Sequence, residues 1–473
     1  MFYYRMQLRR QNFQHFSHYK LVGILAFSIA VNSCNPVSQE RPNEGISLNI
    51  RSAFAAAQSG QNSRVSTGWL SSLKDRQLRQ IVTEALAKNP DLQATAARLK
   101  SAREGTIIGR ANRLPSVSAS GNSSVSLSED DVSDSYGLSL NASWEPDVWG
   151  RLRDLEVATV ADYEAAVADF RSARLSLAIN TAQSWCNLVT AEKQLVLARE
   201  TLKSFQQNYQ IIQRGYKLGT LRPLDDAFGR SNIASAERSL KSRQLARDEA
   251  ARSLQLLLGR YPDADVVASG DLPAIPNIRA GLPSDLLERR PDLSARRLRI
   301  FASAKRADAS RKNLLPNFRL TSSGGSSSSD LLNILDPGNF AASLAASVSQ
   351  NLYSGGELTA RSRQSLAENE NQIRLYERDA LTALREVESA LATDTSLKQQ
   401  EQHLLTEVEN TALAEKWAES NFVEGLDEGN RPSILEVLEA QRRALNARAS
   451  LISLKNQRLQ NHLDLLLALG GSY

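Results

Sequence analysis

The chain has 473 residues, room for two or three ordinary domains, yet aromatic residues supply only 6% of it. Its hydrophobic content leans on alanine and leucine, which suits long helices in thin layers and argues against a large globular core. Of the 57 basic residues, four (Arg5, Arg9, Arg10 and Lys20) precede residue 34 and no acid does; the other 53 face 52 acids, so the remainder is near neutral and lacks the concentrated basic surface that nucleic-acid binding requires.

Residues 1–33 read as a signal peptide: a basic stretch ending at Lys20, an apolar run from Leu21 to Val31, then small residues up to Cys34. About eleven apolar residues fall well short of the roughly twenty that span a bilayer. A short anchor or a buried helix is the other reading. Val31-Asn32-Ser33-Cys34 resembles the lipobox of bacterial lipoproteins, although Asn32 stands where that motif prefers a small residue. The resemblance implies that Cys34 is the acylated, palmitate-bearing first residue of a linker over 34–65. Asn35, in place of Asp, favours outer-membrane sorting by the same resemblance. Cys186, the other cysteine, is then alone within a helical stretch and reads as packing.

From residue 66 the chain repeats itself at an offset of about two hundred residues, which divides it into 66–270 and 271–473. Pro90-Asp91-Leu92 recurs as Pro291-Asp292-Leu293, and Leu114-Pro115 as Leu315-Pro316. In each half a helix of about 24 residues (90 to 113, 291 to 314) stops at the Leu-Pro pair, because Pro115 and Pro316 disfavour helix in the residue before them. Two strands follow, at about 116–144 and 317–350. A long helix comes next, at about 152–214 and 357–421, then tips at 215–226 and 422–433, then return helices from roughly 224 to 258 and 433 to 469. At 1.5 Å per residue the long helices would measure roughly 90 to 100 Å. The return helix is too short to cover its partner, so the two shorter helices of each half are expected to stack end to end alongside the long one. Val157, Val160, Val167, Phe170, Leu177, Leu188, Leu195 and Leu202 follow helical spacing, which by itself fits an ordinary coiled coil.

The strands separate this chain from a coiled coil. Val117, Ala119, Val125 and Leu127 alternate with Ser or Asn, as do Leu138, Leu140 and Ala142, and later Phe318 with Leu320, and Phe340, Ala342, Leu344, Ala346 with Val348. Period-two segments of about ten residues mark membrane β-barrels. Polar hairpin loops are expected over 129–135 and from the Gly324-Gly325-Ser326 run to Gly338. Four strands cannot close a barrel, and open edges in lipid leave backbone groups unpaired, so the chain must oligomerise. Three copies would give twelve strands around a water-filled bore.

This order of elements, read with Trp144-Glu145, Asp147, Trp149-Gly150-Arg151, Leu282-Pro283-Ser284-Asp285, Arg289-Arg290, Gly355-Gly356 and Leu438-Glu439-Ala440-Gln441-Arg442, resembles the TolC-like outer-membrane efflux family, nearest its OprM and NodT type lipoprotein branch. Pro115, Gly150, Pro316, Gly355 and Gly356 fall at the strand–helix corners. The resemblance implies a mainly α homotrimer, with a shared twelve-stranded barrel in outer-membrane lipid continuous with a periplasmic helical barrel. It implies a periplasmic membrane-fusion adaptor and an inner-membrane pump of RND type as partners, no cofactor, and export of drugs, toxic compounds or metals. Tyr216, Gly219 and Asp225 in the first tip, with Phe422 and Gly425 in the second, match the region that contacts the adaptor in related systems. The second tip is about five residues longer than the family's usual form, and Gly229 replaces the alanine common there.

A duct for type I protein secretion and a periplasmic coiled-coil or adaptor lipoprotein remain as alternatives. No enzymatic or metal site is legible: His15 and His18 lie in the signal, His403 and His462 stand alone on helices, and no nucleotide or nucleophile motif is present.

Overall fold

The computed structural model describes residues 53–56, 69–128, 132–276, 283–427 and 434–471. The signal region, Cys34 and most of the 34–65 linker lie outside the described residues, as do 129–131 and residues 428–433 of the expected second tip.

A short α1 (Trp69–Ser72) and α2 (Arg76–Lys88) open the fold. The first repeat follows as α3 (Pro90–Ala111), β1 (Ser116–Leu127), β2 (Val132–Trp144), α4 (Arg151–Lys217) and α5 (Pro223–Leu257). A connecting α6 (Pro283–Arg289) leads to α7 (Pro291–Lys312), β3 (Asn317–Ser328), β4 (Phe340–Ser349), α8 (Glu357–Asp427) and α9 (Ile434–Ala468).

The 67 residues of α4 and 71 of α8 make helices on the order of 100 Å long. Each is lined by two shorter helices, α3 with α5 and α7 with α9. The junctions explain the repeated Pro-Asp-Leu motif. Asn89 caps α3 by accepting Leu92 N–H at 3.0 Å, and its amide donates to Leu257 O at the end of α5, also at 3.0 Å. In the second repeat Arg290 makes the same link, donating from Nη1 to Ala468 O at 3.1 Å. Gly259 and Gly470, both at φ +65, end the return helices against these starts; a Cβ on Gly259 would sit 2.9 Å from Lys88 O. The shorter helices therefore do stack end to end.

The largest core lies midway along the bundle, where α1 and α2 pack on α4, α5 and α9 through Trp69, Leu78, Val82, Trp185, Leu254 and Leu463. Asp75 caps α2 through Leu78 N–H and accepts Trp185 Nε1–H at 3.1 Å, tying the segment before the repeats to α4. A second cluster, including Phe54, Leu293, Tyr376, Val387 and Leu469, does the same for α7, α8 and α9. Glu388 holds residues 53–56 there by accepting the N–H groups of Ala55 and Ala56 at 2.7 and 2.9 Å.

Nearer the sheet, alanines replace large side chains: Ala158, Ala161, Ala165 and Ala168 on α4 meet Ala302 and Ala295 on α7. The aliphatic stripe read from the sequence holds lower down, where Leu177, Leu188 and Leu195 are buried, but Val160 is 40% exposed. Small residues carry the upper seam because they let backbones approach closely. Ion pairs flank it, joining Asp162 to Arg306 and Asp169 to Arg299.

The four strands form one antiparallel sheet in the order β1-β2-β3-β4, leaving β1 and β4 as free edges. Two expectations need correction. The Gly324-Gly325-Ser326 run is not loop but strand: it pairs with Leu140, Ser139 and Leu138 on β2 and with Ala342, Ala341 and Phe340 on β4. Gly325 is required there, since a Cβ would meet Leu138 O at 2.4 Å, and the Phe340 ring covers Gly324. Likewise β2 begins at Val132, so 132–135 continue the ladder from their pairs on β1.

Candidate channel wall and tip

Register fixes the two faces of the sheet. Directly opposed residues share a face, so Val117↔Ala142, Ala119↔Leu140, Trp144↔Leu320, Phe318↔Val348 and Ser322↔Leu344 define one that is mainly apolar, interrupted by Ser123, Asp134, Ser322, Ser326 and Ser328. Its large members are exposed, Val117 at 72% and Leu344 at 82%. The other face carries Ser116↔Ser143, Ser120↔Ser139, Asn141↔Ser323 and Ser323↔Ser343, with Ser–Ser hydroxyl bonds of 2.8 and 2.7 Å. An exposed apolar face backed by a hydroxyl face is what a wall between lipid and water demands. Among the described residues no helix is long and apolar enough to cross a membrane, and no group of three or more His, Cys, Asp or Glu is placed to hold a metal ion.

The corners join sheet to helices with specific geometry. Leu114-Pro115 ends α3 and starts β1. Gly150, at φ +69, turns the chain into α4, whose first free N–H groups are capped by Asp147: Oδ1 accepts from Leu152 at 3.0 Å and Oδ2 from Arg153 at 2.7 Å. Lys312 crosses from the end of α7 to Gly150 O and the buried Asp154 carboxylate. Trp149 Nε1 donates to Pro316 O at 2.7 Å and Trp144 Nε1 to Arg113 O at 2.9 Å, so two indoles lock the start of β3 and the end of β2 to the helices. In the second repeat Gly355 and Gly356, at φ +61 and +83, make the equivalent turn. The tryptophans were visible as motif residues; their locking role needed the fold.

At the far end, the first tip turns tightly. Gly219 is exposed at φ +75 with nothing within 4 Å of an added Cβ. Thr220 and Leu221 donate N–H to Gly215 O at 3.0 and 3.3 Å, and Leu221 folds back so closely that a Cβ on Gly215 would lie 2.8 Å from its Cδ1. Sequence reading passed over Gly215; its signal was a second glycine four residues before the turn glycine. Gly229 is equally constrained, with Tyr209 Cδ2 2.6 Å from a Cβ there. Tyr216, at 44% exposure, and Leu218, at 74%, face solvent beside Gly219.

Asp225 and Phe422, by contrast, lie inside the tip. Asp225 is buried and caps α5, its Oδ2 accepting Arg222 N–H at 2.9 Å. Phe422 is buried among Ile212, Leu221, Ile434 and Val437, and so stitches the two tips together. Gly425 does not begin a turn: α8 continues to Asp427. A helix-interior glycine costs only about 1 kcal/mol, too little to end a helix of this length.

A sheet with one lipid-compatible face, two open edges and an aligned helical bundle defines the TolC-like class of outer-membrane channels. The sequence profile of the outer membrane efflux protein family matches twice, over residues 81–260 and 282–471, and the chain belongs to that family. It is 30% identical to the cation efflux system protein CusC of Escherichia coli O6:H1 over 444 residues, 93% of each chain. It is 29% identical to the toluene efflux pump outer membrane protein TtgF of Pseudomonas putida over 475 residues, covering 95% of this chain and 96% of that one. The solved outer-membrane channel OprN superposes with a TM-score of 0.82 at 25% identity, covering 90% of this chain and 98% of its own. The chain is thus an outer-membrane efflux channel, a passive duct and not an enzyme.

Proposed function

We propose that three copies assemble into a duct that receives small molecules from an inner-membrane RND-type pump through a periplasmic membrane-fusion adaptor. The observation that carries this is the sheet with free β1 and β4 edges and an outward apolar face. In lipid those edges must pair, and pairing β1 of one copy with β4 of the next closes a ring. The long helices continue the ring away from the membrane. Tyr216, Leu218 and Gly219 are the exposed tip elements offered to the adaptor, while Asp225 and Phe422 support the tip from inside. Cys34 anchors the chain through its lipid, which intact-mass analysis of the mature N-terminal peptide would test.

The cargo is of the small-molecule class, as in the cation and toluene systems whose named components this chain resembles. A strain lacking the chain should accumulate organic solvents, drugs or metal ions, with its secreted proteins unchanged. Loss of a secreted protein, with tolerance to small toxicants intact, would move the duct to type I secretion.

A further inference from the structure

Among the described strand residues, the polar face of the sheet carries a single charge. The described strand residues on that face are Ser, Thr, Asn, Gly and Ala, with one exception: Arg319, which shares it with Ser347, Thr321 and Ser143. Arg319 is exposed and lies three residues after Pro316, at the end of the sheet that joins the helices. Among the described residues no ion pair engages it. The nearest acid in register is Glu145, next to Trp144, whose partner is Leu320; its Oε1 is taken by Arg151 Nη2 at 2.6 Å. Asp134, Asp330 and Asp336 cluster at the opposite end of the strands. Twelve residues of tilted strand put them on the order of 30 Å away, several times the roughly 8 Å screening length at physiological salt, so they do not cancel the arginine.

Resting on the trimeric reading above, we propose that three Arg319 guanidiniums ring the periplasmic end of the barrel lumen and select for anionic solutes, such as carboxylates, sulfonates and phosphate esters, over cations. The other described strand residues on that face hydrogen-bond ions of either sign, so within the barrel wall the ring sets the preference. Three unit charges on the order of 10 Å from the axis, in water and screened by about 0.1 M salt, enrich a monoanion over a monocation by about fivefold.

The test uses the full-length trimer in lipid nanodiscs with a Thr321→Cys reporter, two residues along on the same face. Cys186 stays silent because it is fully buried and burial pushes its thiol up to about 12. Reaction rates are measured with the anionic sulfonatoethyl and the cationic trimethylammonioethyl methanethiosulfonates; their ratio cancels any change in thiol acidity. The anionic-to-cationic ratio should fall about fivefold with Arg319→Ser, fall further with Arg319→Glu, and hold with Arg319→Lys. A ratio unmoved by Ser and Glu, in trimers whose reporter reacts, overturns the selectivity ring and leaves the duct standing. A reporter inert to both reagents in a folded trimer overturns the lumen assignment itself, and the ring with it.

Discussion

Leu140 and Ser139 are neighbours on β2 with opposite surroundings, and replacing each in turn by arginine tests the two-faced wall. Leu140 is 59% exposed on the apolar face, opposite Ala119 and Gly324 and close to the middle of a 13-residue strand. An arginine on the lipid face near the bilayer midplane costs about 2–4 kcal/mol. A trimer bears that cost three times, so Leu140→Arg should remove roughly 6–12 kcal/mol from assembly, comparable to the whole stability of an ordinary domain. Ser139 points the other way, and Ser139→Arg forfeits mainly its 2.8 Å hydroxyl bond to Ser120, about 1 kcal/mol, with its charge in water. Native gels of outer-membrane extracts should show trimer abolished by Leu140→Arg and retained with Ser139→Arg. The reverse pattern, or equal tolerance of both, would refute the assignment of faces.

At the first tip, Gly219→Val forces a β-branched residue to φ +75 and should abolish export while leaving trimer yield unchanged; Gly219→Asn, which tolerates that conformation, should preserve drug susceptibility at the wild-type level. His462 on α9 is buried, and desolvation lowers its imidazole to about 4 despite the nearby Asp394, with Lys398 and Arg458 pushing the same way as burial. A folded-state value below the unfolded one means that its neutral form stabilises the fold above about pH 6.5, and that this stability is lost as pH falls towards 4. Thermal unfolding of wild type should therefore lose on the order of 3 kcal/mol across that window, and His462→Gln distinctly less; parallel pH profiles would contradict the role. Cys186 should resist maleimide in the native trimer and react fully once denaturant exposes it, since its thiol is buried on every side.

Much of this architecture was legible because it is written in periodicity. Helix-length runs without Gly or Pro, and period-two alternation, set the order of elements, and the repeated Pro-Asp-Leu and Leu-Pro pairs marked the junctions. The failures have physical causes. Gly324 to Ser328 reads as a hairpin loop because a water-facing wall uses serine at alternate positions and glycine where strands crowd, which is also the composition of a loop. The cap that Asp225 makes on α5 is not visible in the tip motif; it depends on the backbone geometry at Arg222. Phe422 was read beside a turn, whereas its partners Ile212 and Leu221 belong to the other repeat, a pairing no local pattern encodes. Arg319 was passed over because a lone arginine in a strand carries no meaning until register shows every other residue on its face to be uncharged.

In the proposed trimer β1 and β4 find their partners on other copies. Single-particle imaging of the full-length protein in lipid nanodiscs tests it directly. The expected result is a threefold particle with a twelve-stranded barrel above a helical tube on the order of 100 Å long. Monomers whose four strands are covered by their own helices would contradict it.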